Sequence, residues 1–447
     1  MDAVLLARLQ FALTIGFHFI FPSITLGFAW LLVIIEGIGW RTRDEIWIRA
    51  GKFFGGIFAL TFAVGVATGI VMEFQFGTNW ASYSRFVGDI FGAPLAAEGV
   101  FAFFLESGFL GLYLFGRKRV SAATHWFSIL MVAVGATLSA FWIIVANSWQ
   151  QTPAGFTINQ QLGRAELTSF AEAVFNPSTL PRYFHTVTAS LVTASFFMAG
   201  ISAILLLSNR GIAVARKTLS LAVIVGLLFS ILVAFPFGHE HAQQVAATQP
   251  EKFAALEGLY TGYDRGAPLV LFAFPTTPPP KLKATVEIPK MLSWMAFGDI
   301  NYPVKGLSDF PPDRVPKGAE LWISFVSFHN MVVLGMYFIA VMGIAAFLLW
   351  KGRLAEERRL LKVLAFSMPL PIAACQLGWM AAEVGRQPWI VYGLLKTRDG
   401  ASVTVGAGEI LFSIVLFGLI YVLLGGLWLY LLKRKIQTGP LSEMEVA

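Results

Sequence analysis

FALTIGFHFIFPSITLGFAWLLVII, residues 11–35, decides the fold. The run carries one ionisable side chain, His18. At 1.5 Å per residue it extends about 37 Å as a helix, enough to cross a hydrocarbon core about 30 Å thick. It is too long for the apolar part of a signal peptide and lacks a basic segment before it and a small-residue cleavage site after it, so it is read as a retained span. Eight further apolar runs of similar length lie near residues 53–72, 93–115, 123–146, 183–207, 217–236, 320–349, 360–382 and 408–432. The expected fold is an all-α integral membrane protein with about nine transmembrane helices. Its segments are helices 1–6 over residues 1–237, a long extracytoplasmic loop over 238–319, and helices 7–9 over 320–447.

Composition agrees and narrows the chemistry. With 56% apolar and 13% charged residues and a mean hydropathy of +0.69, the 447 residues are too oily for several soluble domains in series. The one cysteine, Cys375, lies inside an apolar run, which excludes a disulfide framework, a cysteine zinc site and a CxxCH haem attachment. The net charge of +7 comes from short basic clusters between spans, so nucleic-acid binding gains no support.

Those clusters orient the chain. The connections after spans 1, 3, 5 and 7 and the tail after span 9 hold 18 Lys and Arg, among them Arg117, Lys118 and Arg119. The short segments of the opposite side hold seven: Arg8, Arg85, Arg164, Arg182, Arg386, Lys396 and Arg398. The positive-inside rule then places the N-terminus outside and the C-terminus in the cytoplasm. The 238–319 loop, with 11 of the chain's 21 prolines, falls at the outer membrane surface, and loops this long are usually functional.

An ionisable group inside a membrane costs about 2.5–3.5 kcal/mol on insertion scales, so each is a functional candidate. With this orientation His18, Glu98, His185, Glu383 and Arg386 fall in the outer leaflet, and Met331 lies about three turns into span 7. Imidazoles, a thioether and carboxylates without a cysteine cluster suit haem iron, with a His/Met pair suiting a low-spin electron-transfer haem. Six histidines in all, His239 and His241 expected beyond the spans, are too few for a haem–copper oxidase, and no span carries the paired histidines of a bis-histidine four-helix cytochrome. Glu98 and Glu106, eight residues apart, stand about 12 Å apart along a helix and about 80° around it, near enough to line one proton path. His329 and Met331 point to nearly opposite faces and cannot share one iron. The plainer readings are a helix–helix hydrogen bond for His125, core packing for a lone Met, solvated charges for Lys252 and Glu257, and interfacial anchoring for Trp40, Trp47, Trp80, Trp149 and Trp350.

Several local strings resemble subunit I of cytochrome bd-type (cyanide-insensitive-like) ubiquinol oxidases. They are RLQFALT (8–14) ahead of His18, EFQFGTNW (73–80), GDIFGAPLAAEGVFAFFLES (88–107), NSWQQTPAG (147–155), FHTV (184–187), QPEKFAALE (249–257) and WMAAEVGRQPW (379–389). The resemblance covers nearly the whole chain. It implies a haem-containing subunit of the bacterial inner membrane that oxidises quinol at the outer face and reduces dioxygen to water, building a proton gradient without pumping. By position, His185 and Met331 match the ligands of the low-spin haem b. His18 and Glu383 match the ligands of a high-spin haem b and of an oxygen-reducing haem d or third haem b, and which binds which stays open. Glu98 lies beside that pair and Glu106 on a cytoplasmic proton path. Arg8 and Arg386 hold haem propionates, as a guanidinium fork suits. Lys252 and Glu257 match the quinol-site residues of a short-form Q-loop. His329 departs from the pattern, since many relatives have arginine there, which bears on the low-spin haem's potential. The implied partners are quinol, dioxygen, membrane lipid, a second membrane subunit and in some cases a small single-span one. The rival readings are a haem-free proton-coupled transporter using Glu98 and Glu106, against which the His185 and Met331 pair and the absence of inverted repeats argue, and a b-type electron-transfer subunit that does not reduce oxygen.

Overall fold

The computed structural model describes residues 2–276 and 281–440. Among these residues nine helices are long and apolar enough to cross a membrane. They are span 1 (Ala3–Thr42), span 2 (Glu45–Thr78), span 3 (Ala81–Phe115), span 4 (Ala122–Gln151), span 5 (Thr179–Leu207), span 6 (Ile212–Thr248), span 7 (Ala319–Trp350), span 8 (Arg358–Val384) and span 9 (Ala407–Thr438). Number and order agree with the hydropathy reading, but the helices overrun it.

Span 1 starts where the Asp2 carboxylate accepts from the Val4 N–H at 2.9 Å, and it ends where Arg43 turns left-handed at φ 53°. Between these signals only Pro22 opposes a helix, so backbone hydrogen bonding continues past the apolar run into its polar flanks. Span 3 begins at Ala81, well ahead of its apolar run, through Ser82, Ser84, Arg85 and Asp89. Glu98 therefore stands near the midpoint of the helix. Span 6 leaves helical geometry at Phe235 (ψ 115°) and resumes over Phe237–Thr248. His239 and His241, expected beyond the span, thus stand on its continuation.

Span 5 is the central helix, with almost every residue from Leu191 to Leu206 buried. It packs on span 1 at very close range: a Cβ at Gly27 would lie 2.3 Å from the Ser190 carbonyl oxygen, so only glycine allows this backbone approach. Next to the crossing, Phe28 meets Phe54 and Phe197 edge-on, each with centroids 5.9 Å apart. Spans 3 and 9 are the least enclosed and turn Phe101, Phe104, Phe412, Val422 and Leu423 outward.

The described residues between spans 6 and 7 include a short helix (Pro250–Glu257), an antiparallel strand pair (Leu269–Thr276 with Lys281–Ile288) and a further helix (Met291–Phe297). Val245, Phe253, Leu256, Leu259 and Leu307 pack with Leu321 of span 7 and Ala381 of span 8 in one apolar cluster. This holds the short helix against the ends of the spans.

Candidate functional site

His185 reaches from span 5 to the break in span 6. Its Nδ1 lies 3.1 Å from the Val233 carbonyl oxygen, which the departure from helical geometry at Phe235 leaves short of a helical donor. A carbonyl only accepts, so Nδ1 carries the proton and Nε2 keeps its lone pair, the arrangement of a metal-ligating histidine with an outer-shell partner. A Cβ at Gly238 would lie 2.6 Å from the same oxygen and 3.5 Å from His185 Cε1, which reserves the space for the ring.

The same logic holds at His18. Its Nδ1 is 3.0 Å from Thr68 Oγ1, while the Thr68 hydroxyl faces the Val64 and Gly65 carbonyls at 2.9 and 3.0 Å. With its proton committed to a carbonyl, the hydroxyl accepts from Nδ1–H, and His18 Nε2 is again left free. A Cβ at Gly69 would come within 3.1 Å of the ring. Met331 on span 7 lies over span 8, its sulfur 3.0 Å from where a Cβ of Gly378 would stand. Spans 5 and 7 meet at Phe196 and Phe338, with centroids 4.9 Å apart. His185 and Met331 lie about 16 and about 10 Å from that contact along parallel helices, hence at similar depth on the loop side. Among the described residues no group of three His, Cys, Asp or Glu side chains converges as a metal cage. Single imidazoles and a thioether with free lone pairs, each cradled by a glycine, fit a group that brings its own equatorial ligands and takes one or two from the protein, as haem does.

Glu383, in the last turn of span 8, is the hub of the polar network. Arg386 donates to its Oε2; Asn147 Nδ2 and Gln151 Nε2 donate to Oε1 at 3.2 and 3.1 Å, and Arg182 Nη2 lies 4.0 Å from it. Arg386 also donates to Gln150 and to the Trp389 carbonyl. Arg8 does not join this group but pairs with Glu320 at the start of span 7, at 2.9 Å.

Glu98 accepts from Ser139 Oγ at 2.7 Å, and the backbone of Glu106 packs against Gly135, one turn from Ser139 on span 4. A π turn over Glu98–Phe103 makes this possible. It absorbs one extra residue, so the rotation from Glu98 to Glu106 falls from about 80° to about 20°, and the Glu98 carboxylate and the Glu106 Cβ meet one stripe of span 4. His125 makes the interhelical bond expected of it, Nε2 to the Tyr113 carbonyl at 2.9 Å.

Lys252 and Glu257 share the short loop helix but not an environment. Lys252 Nζ donates to Gln151 Oε1 at 3.1 Å and to Gln249 Oε1 at 3.4 Å, so Gln151 bridges it to Glu383. Burial first, and then the Arg182 guanidinium, hold its ammonium well below the usual range, with Glu383 opposing. Glu257 is 4% exposed and its Oε2 has no partner. Burial pushes its carboxyl up to about 8. The chain turns away immediately after it at Gly258 (φ 68°), where a Cβ would sit 2.9 Å from Phe325. His329 is occupied at both nitrogens, facing the Phe325 and Val270 carbonyls at 3.0 and 3.1 Å.

Sequence reasoning missed Arg182, His241, Asn147 and Gln151. Arg182 reads in the sequence as a flanking charge, yet it stands one turn before His185 and is 3% exposed. The two amides lie in NSWQQTPAG, a polar run closing an apolar span, and that was the available signal.

The fold and site define a multi-pass helical membrane protein with buried single-ligand positions suited to haem. The chain belongs to the cytochrome bd terminal oxidase subunit I family, whose model matches residues 6–440. It is 38% identical to cytochrome bd ubiquinol oxidase subunit 1 of Bacillus subtilis (strain 168), over 98% of this chain and 94% of that one. It is 34% identical to cytochrome bd-II ubiquinol oxidase subunit 1 of Escherichia coli (strain K12), over 98% and 97%. The bd oxidase structure from Geobacillus thermodenitrificans superposes with a TM-score of 0.89 at 31% identity, covering 98% of this chain and 99% of that one. Membership makes the chain a subunit of a terminal quinol oxidase, an oxidoreductase with haem as cofactor and quinol and dioxygen as substrates.

Proposed function

We propose that this chain oxidises quinol at the outer face of the bacterial inner membrane and delivers the electrons to dioxygen, which is reduced to water. The observation that carries the reading is that His185 and His18 are each fixed by an Nδ1 contact that leaves Nε2 free in a glycine-cradled site. Relatives named for ubiquinol oxidation, and a Bacillus subtilis relative named as a putative menaquinol oxidase subunit, 32% identical, support a quinol as reductant.

His185 and Met331 hold a low-spin haem b, and His18 and Glu383 hold a high-spin haem b and a haem d or third haem b. Bound haem supplies one-electron carriage and an iron at which dioxygen is reduced. The protein's own part is acid–base and electrostatic. Glu257, buried without a counter-charge, accepts a proton as quinol is oxidised, with Lys252 on the same helix. Glu106 and then Glu98, aligned by the π turn and by Ser139, pass cytoplasmic protons toward the oxygen site. Arg386 and Arg8 hold propionates. Release of quinol protons outside and uptake of cytoplasmic protons separate charge without a pump. Residues 238–319, whose first turns continue span 6 as far as Thr248, form the short Q-loop, and a second membrane subunit, with or without a small single-span one, completes the enzyme.

The test is a reduced-minus-oxidised visible spectrum of the purified complex together with quinol-driven oxygen uptake. Haem bands with uptake are expected. Haem bands without uptake would favour an electron-transfer subunit, and no haem bands a transporter.

A further inference from the structure

Around His185 the structure gathers more buried positive charge and more unanswered donors than its own acceptors satisfy. Arg182, Lys252 and Arg386 are 3%, 2% and 5% exposed, and the one carboxylate among them is Glu383. Two guanidiniums against one carboxylate leave a net charge of about +1 before Lys252 is counted, and a low-dielectric site does not sustain that excess without an anion, which would also restore the Lys252 ammonium. The donors point the same way. Arg182 Nε and Gln249 Nε2 are buried without a hydrogen-bond partner, and so is His241 Nε2, which donates in the tautomer that carries its proton there. Lys252 uses only two acceptors, both neutral amide oxygens, so one of its three N–H groups is also uncommitted. These groups come from three separate elements. Arg182 lies one turn from His185 on span 5, His241 lies on the continuation of span 6 with its ring centroid 5.5 Å from that of His185, and Gln249 and Lys252 belong to the loop segment. The remaining Arg182 contacts, to Asn147 and over the Trp379 ring at 5.7 Å, fix the guanidinium without answering Nε.

We propose that Arg182, His241, Gln249 and Lys252 form a carboxylate-binding subsite for a haem propionate, clamping the Q-loop helix to span 5 through the porphyrin. A propionate supplies two oxygens with several lone pairs and a negative charge, which is what the orphaned donors and the excess charge lack. The subsite rests on the proposed haem at His185, and the haem beside Glu383 is the other source of the same carboxylate.

The test uses the purified complex with its partner subunits and Arg182→Gln, Arg182→Lys and His241→Phe. Two readouts independent of turnover are taken: the midpoint potential of the low-spin haem by mediated spectroelectrochemistry, and the propionate-bending resonance Raman bands excited separately in the low-spin and high-spin absorptions. In Arg182→Gln, loss of a buried positive charge disfavours the reduced haem. At the ambient potential that half-reduces the wild type, the reduced-to-oxidised ratio falls at least about threefold, and Arg182→Lys restores most of it. The low-spin propionate band shifts in Arg182→Gln and His241→Phe. A shift confined to the high-spin bands assigns the carboxylate to the other haem and overturns the low-spin assignment. Unchanged potential and bands in both variants overturn the subsite, and if Arg182→Gln does not assemble, His241→Phe and Arg182→Lys decide by the same criteria. A wild-type complex without a low-spin band would instead overturn the functional reading on which the subsite rests.

Discussion

Replacing Glu257 by glutamine isolates the one buried carboxyl to which the account gives both a cost and a task. Burial raises it from an ordinary 4.5 to about 8. At about 1.4 kcal/mol per unit this is a penalty of about 5 kcal/mol on the ionised form, an upper bound where the site can hydrate. The folded chain keeps the proton where the unfolded chain loses it. Stability from this group is therefore fully present below pH 4.5 and is lost as pH rises to about 8. Glu257→Gln has no such loss, so its thermal midpoint falls less than the wild type's between pH 5 and pH 8. Catalysis runs in the opposite sense, because only the ionised form accepts a proton. About a tenth is ionised at pH 7, so kcat/KM for quinol rises roughly tenfold per unit and levels near pH 8. In Glu257→Gln it drops about 100-fold or more with the haem spectrum intact. The assay is quinol-driven oxygen consumption by purified complex from pH 5.5 to 9.5. A wild-type kcat/KM that is flat between pH 6 and 8, or a glutamine variant that turns over normally, would refute the reasoning.

Thr68→Val removes the acceptor that sets the His18 tautomer. Retention of the haem at that site should weaken about 10- to 100-fold, measured as haem loss on dilution, and unchanged retention would count against His18 as a ligand. Gly27→Ala pushes a methyl against the Ser190 backbone and should destabilise the complex by about 1–3 kcal/mol, read as a lowered thermal midpoint, while Gly27→Leu should prevent assembly; normal yield of the leucine variant would contradict the crossing. Glu106→Gln should slow oxygen reduction about 100-fold while quinol still reduces the low-spin haem. Stopped-flow spectra would separate the two steps, and full turnover would remove Glu106 from the proton path.

The spans were legible because lipid demands about 20 apolar residues in a row, and runs such as 11–35 have no other use. Their true ends were not. The polar flank of span 3 through Arg85 and Asp89 is helical because nothing breaks it, and hydropathy does not register that. His241 was hidden for the reverse reason: Phe235 and Pro236 end the apolar run of span 6 and read as an exit, yet the helix resumes and brings this imidazole beside His185. The π turn that aligns Glu98 with Glu106 leaves no mark in residue spacing, which had them about 80° apart. His18, His185, Met331 and Glu383 were legible as costly groups in apolar segments. Arg182 was not, because a cation near a span end is ordinarily an interfacial anchor, and only the fold reveals it turned inward.

Counting haem per polypeptide in the purified complex, by extraction and mass analysis of the pigments, tests the central claim most directly when wild type and His185→Ala are compared. Three haems per chain in the wild type, and two with no low-spin b band in the variant, are expected. A colourless wild-type complex, or a variant with an unchanged count and spectrum, would contradict it.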